Sequence, residues 1–112
     1  KKKAEQLLKE ALLIEKAGAF SIVLECITPQ TSRIISNTLK IPTIGIGSSS
    51  YCDGQILVTD DMLGISGFYP KFVKKYANLK RVIEKAVKKY SREVKLNKFP
   101  TTKNFLNGTR LK

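Results

Sequence analysis

Glu25 is the residue whose type and position best suit acid–base chemistry. It ends the run FSIVLE at residues 20–25, which is otherwise almost wholly apolar. Such a run predicts a strand that is buried on both faces, as in a parallel sheet. Burial would favour the protonated carboxyl group and would let Glu25 accept and return protons near neutral pH. The alternative is a carboxylate just past the strand end that is solvated or paired with a lysine.

The two cysteines, Cys26 and Cys52, are the other residues with reactive side chains, and the chain has no histidine. Their spacing is not that of a zinc site. We expect Cys26 to be a buried core thiol and Cys52 a loop thiol, without a redox role for either. Two cysteines without an apolar signal segment fit a reducing compartment, so we expect a cytoplasmic protein.

The charge balance is strongly basic, with a net charge of +12 over 112 residues. The lysines are spread along predicted helix surfaces, and no arginine cluster alternates with aromatic residues. We therefore interpret the charge as solvated surface and do not expect nucleic acid as a partner. The alternative is a basic module whose Lys-rich helix at residues 80–95 binds nucleic acid or another acidic surface. No run reaches the ~18–20 apolar residues of a membrane span, so we expect no membrane association.

The elements that must position Glu25 follow from periodicity and from helix-breaking residues. Leu7, Leu8, Ala11 and Leu12 recur at helical spacing, and Gly18 is a plausible end for that helix. The sequence predicts a helix at 4–17, a strand at 20–25, a helix at 30–39, strands at 43–47 and 55–58, a loop at 59–64, and a helical region that opens at Pro70 and is interrupted near Asn78.

This order predicts a mainly parallel α/β arrangement. Three strands are few for a parallel sheet, whose strands need cover on both faces. We therefore expect the chain to be part of a larger α/β domain or to pair with another copy. Residue 1 is lysine rather than methionine, so we expect either a processed chain or part of a longer polypeptide. We assign residues 1–96 to the domain and residues 97–112 to a C-terminal tail.

Several motifs occur in one order and spacing, and together they resemble the C-terminal part of the ketopantoate hydroxymethyltransferase family. The glycines of IGIG alone are a weak signal, because a dinucleotide fingerprint needs a third glycine and an immediate helix. The resemblance covers about residues 4–100 and rests on VLEC at 23–26, IPTIGIG at 41–47, CDGQILV at 52–58, DMLG at 61–64, PKFV at 70–73 and FP at 99–100.

The resemblance implies a (β/α)₈ barrel of which this chain holds the last three strands with their helices, incomplete on its own. It implies transfer of a hydroxymethyl group from 5,10-methylenetetrahydrofolate to 3-methyl-2-oxobutanoate, giving 2-dehydropantoate for pantothenate biosynthesis. It implies Glu25 as the proton acceptor and Mg²⁺ on the keto acid, with metal ligands upstream and none in this chain. It also implies a homo-oligomer, decameric in several members. Because barrel sites lie at the carboxyl ends of strands, Gly47 and Val58 are expected to line the pocket.

Three departures from the family's pattern accompany the resemblance, one of which is that Lys103 and Asn104 lie where the family usually has a histidine shortly after Phe-Pro. Ser48 and Ser49 stand where the family has Ala-Gly, and Asp60 stands where it usually has histidine. We do not expect Asp53, Asp60 or Asp61 to replace the upstream metal ligands. The 112 residues alone are expected to be inactive, and a gene piece without activity remains an alternative.

Overall fold

The computed structural model describes residues 2–106. Helices and strands follow the predicted order as far as the third strand, although several bounds differ. The elements are α1 (Lys2–Lys16), β1 (Ile22–Glu25), α2 (Pro29–Thr38), β2 (Thr43–Ile46), β3 (Gly54–Gln55), α3 (Thr59–Leu63), α4 (Leu79–Lys95) and a 3₁₀ turn (Thr102–Asn104).

The three strands form one sheet in the order β1-β2-β3, and both pairs are parallel. Glu25 lies in register with Ile46, and Gly45 lies in register with Gln55. The carboxyl ends of β1 and β2 therefore meet at one edge of the sheet. The predicted parallel α/β arrangement is confirmed.

The core lies between the sheet and the helices α1 and α2. Its buried members come from α1, β1, α2 and two loops: Ala11, Leu24, Ile35, Leu39 and Cys52. The prediction that β1 is buried on both faces is wrong for this chain, since Val23 is 54% exposed and Glu25 is also exposed. Successive strand residues point to opposite faces, and within residues 2–106 the two helices cover only the face of Leu24.

The prediction that Cys26 is a buried core thiol is wrong, whereas Cys52 lies in a loop as predicted but is buried there. Cys26 is exposed, whereas Cys52 is buried in the core. The loop before β3 folds back onto β2, and a methyl group added at Gly45 would lie 3.1 Å from Cys52 Sγ. Cys26 follows the last residue of β1 and has a φ of 53°, so it leaves the sheet instead of continuing into the core.

The region after β3 differs from the prediction in three ways. The strand ends at Gln55, so residues 56–58 lie outside it, and the expected loop contains α3. Pro70 does not open a helix, because helix α4 begins at Leu79. Asn78, predicted as an interruption, is instead the N-cap of α4, and its Oδ1 accepts a hydrogen bond from the Arg81 N–H at 3.4 Å.

The described part of the chain leaves much apolar surface uncovered. Helix α4 is amphipathic as predicted, yet its apolar side chains are exposed, with Val82 at 62% and Val87 at 59%. The Cα radius of gyration is 24.3 Å, against about 13 Å for a compact domain of 100 residues. Among residues 2–106 no helix combines the length and the apolar character that crossing a membrane requires. The assignment of residues 97–112 to a tail stays a prediction, and residues 107–112 lie outside the described part.

Candidate active site

Glu25 is the last residue of β1, at the carboxyl edge of the sheet. Because Leu24 faces the helices, the alternation along the strand directs Glu25 to the opposite face, together with its register partner Ile46. Within residues 2–106 the one ion pair joins Lys89 and Glu93 at 3.8 Å, so Glu25 is not paired with a lysine there. The carboxylate is solvated in this chain, which is one of the two situations that the sequence left open.

The backbone on both sides of Glu25 is held by hydrogen bonds from the end of β2. The Cys26 N–H donates to the Ile46 carbonyl at 2.9 Å. Ser48 Oγ donates to the Leu24 carbonyl at 2.6 Å and accepts from the Ile27 N–H at 3.2 Å. Sequence reasoning gave Ser48 no role. The signals in the sequence were its position directly after Gly47 at the end of a predicted strand and its departure from the family's pattern.

Gly47 lies where β2 leaves the sheet, and two features require glycine at this position. Its φ is 61°, a backbone conformation that residues with a Cβ rarely adopt. A methyl group added there would lie 2.7 Å from the Phe72 ring. Gly47 lines a cavity of about 540 Å³ with Ser48–Ser50, Gln55, Phe72, Lys74 and Tyr76 among its neighbours.

The structure does not gather the three predicted site residues in one cavity. Val58 is the N-cap of α3 and is 53% exposed, and it is not among the residues that line the cavity at Gly47. Glu25 lines a separate groove beside the first turns of α1 and α2, with Leu7 and Thr31. Glu25 and Gly47 are nevertheless close along the carboxyl edge, because Glu25 is in register with the residue before Gly47.

The aspartates near the sheet have structural partners. Asp53 Oδ2 accepts hydrogen bonds from the Thr43 N–H at 2.8 Å and from Thr43 Oγ1 at 2.9 Å. These bonds hold the pKa of the Asp53 carboxyl below its ordinary value of 3.8. Asp61 Oδ1 accepts from Ser66 Oγ at 2.5 Å, in the first turn of α3. Among residues 2–106 no three Asp, Glu, His or Cys side chains come together in a way that could hold a metal ion.

Comparison of the amino-acid sequence with known proteins assigns the chain to a family. A sequence profile described as Ketopantoate hydroxymethyltransferase matches residues 1–102. The chain belongs to the ketopantoate hydroxymethyltransferase family. The resemblance that the motifs indicated is therefore confirmed over almost the whole chain.

Relatives within the ketopantoate hydroxymethyltransferase family are similar along most of this chain. A 3-methyl-2-oxobutanoate hydroxymethyltransferase of Clostridium beijerinckii is 55% identical over 102 residues, which are 90% of this chain and 37% of that protein. Proteins of the same name from Enterococcus faecalis and Pelagibacter ubique are 54% and 47% identical, over 89% and 88% of this chain. The chain spans 37% and 38% of the length of those two relatives.

The family's fold is a TIM barrel, and the mixed helical and parallel-sheet architecture of this chain agrees with part of such a barrel. A barrel closes when each parallel strand has a neighbour on both sides. Here β1 and β3 are both edges of a three-stranded sheet. The described strands are thus a sector of the architecture that the family uses.

Proposed function

We propose that this chain is the C-terminal part of a (β/α)₈ barrel enzyme that makes 2-dehydropantoate from 3-methyl-2-oxobutanoate. The one-carbon donor is 5,10-methylenetetrahydrofolate, and Glu25 is the proton acceptor. The family and the names of the relatives support hydroxymethyl transfer to this keto acid. The folate, the role of Glu25 and the C-terminal position belong to the proposal.

The observation that carries the role of Glu25 is its position at the carboxyl end of β1, where strand alternation directs its side chain away from the face of the buried Leu24. In a barrel of this type the helices lie outside, so the opposite face of the strands is the interior. Active sites of such barrels lie at the carboxyl ends of the strands. A carboxylate that meets both conditions is placed to reach a substrate in the mouth of the barrel.

The proposed chemistry gives Glu25 one proton to move. The C3–H bond of the keto acid breaks, the proton goes to the Glu25 carboxylate, and its electron pair forms the new carbon–carbon bond to the one-carbon unit. Both C–N bonds of the folate's methylene bridge break, and water supplies the hydroxyl group of the product. In the net reaction the proton taken up by Glu25 and the remaining proton of water go to the two nitrogens of the departing tetrahydrofolate. A positioned base of this kind typically contributes about 10²–10⁴-fold to a rate.

The described residues 2–106 contain no group that could hold the magnesium ion that the family resemblance implies. A magnesium site needs oxygen ligands that converge, and residues 2–106 offer no such group. Asp53 and Asp61 are engaged with Thr43 and Ser66 instead. We therefore assign the ion's ligands to the upstream part of the barrel and give it no step here.

The test uses a chimera in which the upstream part of the Clostridium beijerinckii relative precedes this chain. Two activities are measured: folate-dependent formation of 2-dehydropantoate, and exchange of the C3 proton of the keto acid in D₂O, followed by NMR without folate. Glu25→Gln is expected to lower both by at least about 10²-fold. Glu84→Gln removes an exposed carboxylate from α4 and is the matched control, expected to match the parent. Parent-like proton exchange in Glu25→Gln would refute the role of Glu25.

A further inference from the structure

Ser48 is the side chain that ties the end of β2 to the segment carrying Glu25. Its hydroxyl donates to the Leu24 carbonyl at 2.6 Å and accepts from the Ile27 N–H at 3.2 Å. The two partners lie immediately before Glu25 and two residues after it. One hydroxyl therefore spans the backbone of Glu25 and Cys26.

We propose that Ser48 is a positioning residue that fixes the backbone of Glu25 and thereby the direction of its carboxylate. This inference rests on the proposed role of Glu25 as proton acceptor. In this proposal Ser48 touches no reacting atom and acts only through the Leu24 carbonyl and the Ile27 N–H.

Residues 24–27 form the segment that the Ser48 hydroxyl bridges, and their backbone conformation explains why these hydrogen bonds are needed. Cys26 has a φ of 53°, which for a residue with a Cβ is an uncommon conformation. Such conformations cost of order 1–3 kcal/mol and persist where the surroundings enforce them. The Ser48 hydroxyl and the bond from the Cys26 N–H to the Ile46 carbonyl supply that enforcement.

The exposure of Glu25 makes the backbone clamp more important. Within residues 2–106 no lysine or arginine forms an ion pair with the Glu25 carboxylate, so no such pair fixes the position of its side chain. Catalytic groups must be held within about 0.5 Å of the productive geometry. In this chain the backbone is the element that can provide such precision.

The position of Ser48 is in turn set by Gly47. The left-handed φ of Gly47, 61°, turns the chain at the end of β2, and Ser48 is half-buried beneath the end of β1. Ser48→Ala removes the hydroxyl, and with it both hydrogen bonds, with little change in side-chain volume.

The experiment compares variants of the chimera at Ser48. Ser48→Ala is expected to lower kcat about tenfold, equivalent to ~1.4 kcal/mol in the barrier, with KM for the keto acid unchanged. Exchange of the C3 proton in D₂O should fall by the same factor, because both activities use the same base. Ser48→Thr keeps the hydroxyl and should restore at least half of the parent kcat. Thr38→Ala removes an exposed hydroxyl that donates to the Ile34 carbonyl within α2, outside the candidate site, and is the matched control.

The outcomes separate this inference from the proposed function. A folded Ser48→Ala protein with parent kcat and parent exchange overturns the positioning role, while Glu25→Gln still reports on the base. If Ser48→Ala does not fold, Ser48→Cys replaces it, because a thiol is a weaker donor of similar shape. Parent kcat in a folded Ser48→Cys protein would count equally against the clamp. If Glu25→Gln retains exchange, the proposed function fails and the positioning role fails with it.

Discussion

Asp53 and Thr43 join the starts of β2 and β3 through three hydrogen bonds. Asp53 Oδ2 accepts from the Thr43 N–H and hydroxyl, and the Asp53 N–H donates to Thr43 Oγ1 at 3.3 Å. Because the Thr43 hydroxyl hydrogen is directed to Asp53, Ser36 is the donor in its 2.7 Å contact with Thr43 Oγ1. This network lies at the amino ends of the strands, opposite Glu25, where barrel residues support stability.

Removing the Asp53 charge should destabilise the chimera in a manner that depends on pH. The pKa of Asp53 lies below 3.8 because Thr43 donates to it. A lowered pKa contributes stability that is present above the ordinary value and is lost as the pH falls through the lower, folded value. Asp53→Asn should therefore have a lower Tm than the parent near pH 6, and the difference should shrink below pH ~3.8.

The control for this measurement is Asp60→Asn, which alters a carboxylate in the first turn of α3. This substitution leaves the hydrogen bonds between Asp53 and Thr43 in place, so its Tm near pH 6 should be close to that of the parent. Equal Tm values for parent and Asp53→Asn at pH 6 would contradict a structural role for the Asp53–Thr43 network.

Gly64→Ala should be markedly more destabilising than Gly18→Ala. Both glycines have positive φ values, 73° and 97°, and a left-handed conformation costs a residue with a Cβ roughly 1–2 kcal/mol. At Gly64 an added methyl group also meets the Ala77 carbonyl and lies 3.1 Å from Asn78 Cα, whereas at Gly18 it has open space. Overpacking adds about 1–3 kcal/mol.

Urea unfolding of the two chimera variants, monitored by circular dichroism, gives the comparison. Gly18→Ala is the matched control, since it isolates the backbone term. Free energies of unfolding that fall equally in both variants would show that the segment at Ala77 does not pack against Gly64 in solution.

Gly47→Ala should lower both stability and activity, because the added methyl group would overlap the Phe72 ring. The left-handed φ and the overlap are expected to cost about 1–2 and about 1–3 kcal/mol. Gly47→Ala/Phe72→Ala should recover activity in part, since it removes the overlap but keeps the backbone strain. The measurement is kcat and Tm of both variants, with Phe72→Ala alone as the control. A double variant no better than Gly47→Ala would argue against this contact.

The isolated 112 residues should lack transferase activity and should bind an apolar dye, whereas the chimera should be active and should bind much less dye. The exposed apolar side chains of α4 and the open face of β1 are the reason, since large exposed apolar patches bind other surfaces. Transfer assays and dye fluorescence of both proteins provide the test. Full activity in the isolated chain would contradict the proposal that it is a barrel sector.

The same comparison can address the basic charge of the chain. If the net charge of +12 serves solvation, binding of the chimera to nucleic acid should be no tighter than the ~10⁻⁴–10⁻⁶ M of non-specific association at physiological salt. Fluorescence anisotropy with a labelled oligonucleotide measures it. Much tighter binding would favour the alternative in which the Lys-rich helix is a recognition surface.

Local sequence patterns predicted the elements where one physical signal dominated. The apolar period of residues 4–17, the apolar run before Glu25 and the glycine at position 18 each gave the element found there. The patterns failed after Gln55, where a helix was expected from Pro70 and the helix begins only at Leu79. Proline suits a first helical turn, but the Tyr76 N–H donates to the Met62 carbonyl, so this segment is held by α3 instead.

The sequence by itself determined the family, the parallel order of helices and strands, and the place of Glu25 at a strand end, because these depend on residue types at short spacing. Tertiary structure decided which face Glu25 occupies, which cysteine is buried and which side chain holds the base. The Ser48–Leu24 bond joins residues 24 positions apart. Such a contact depends on how two strands align and on the turn at Gly47, which no local periodicity specifies.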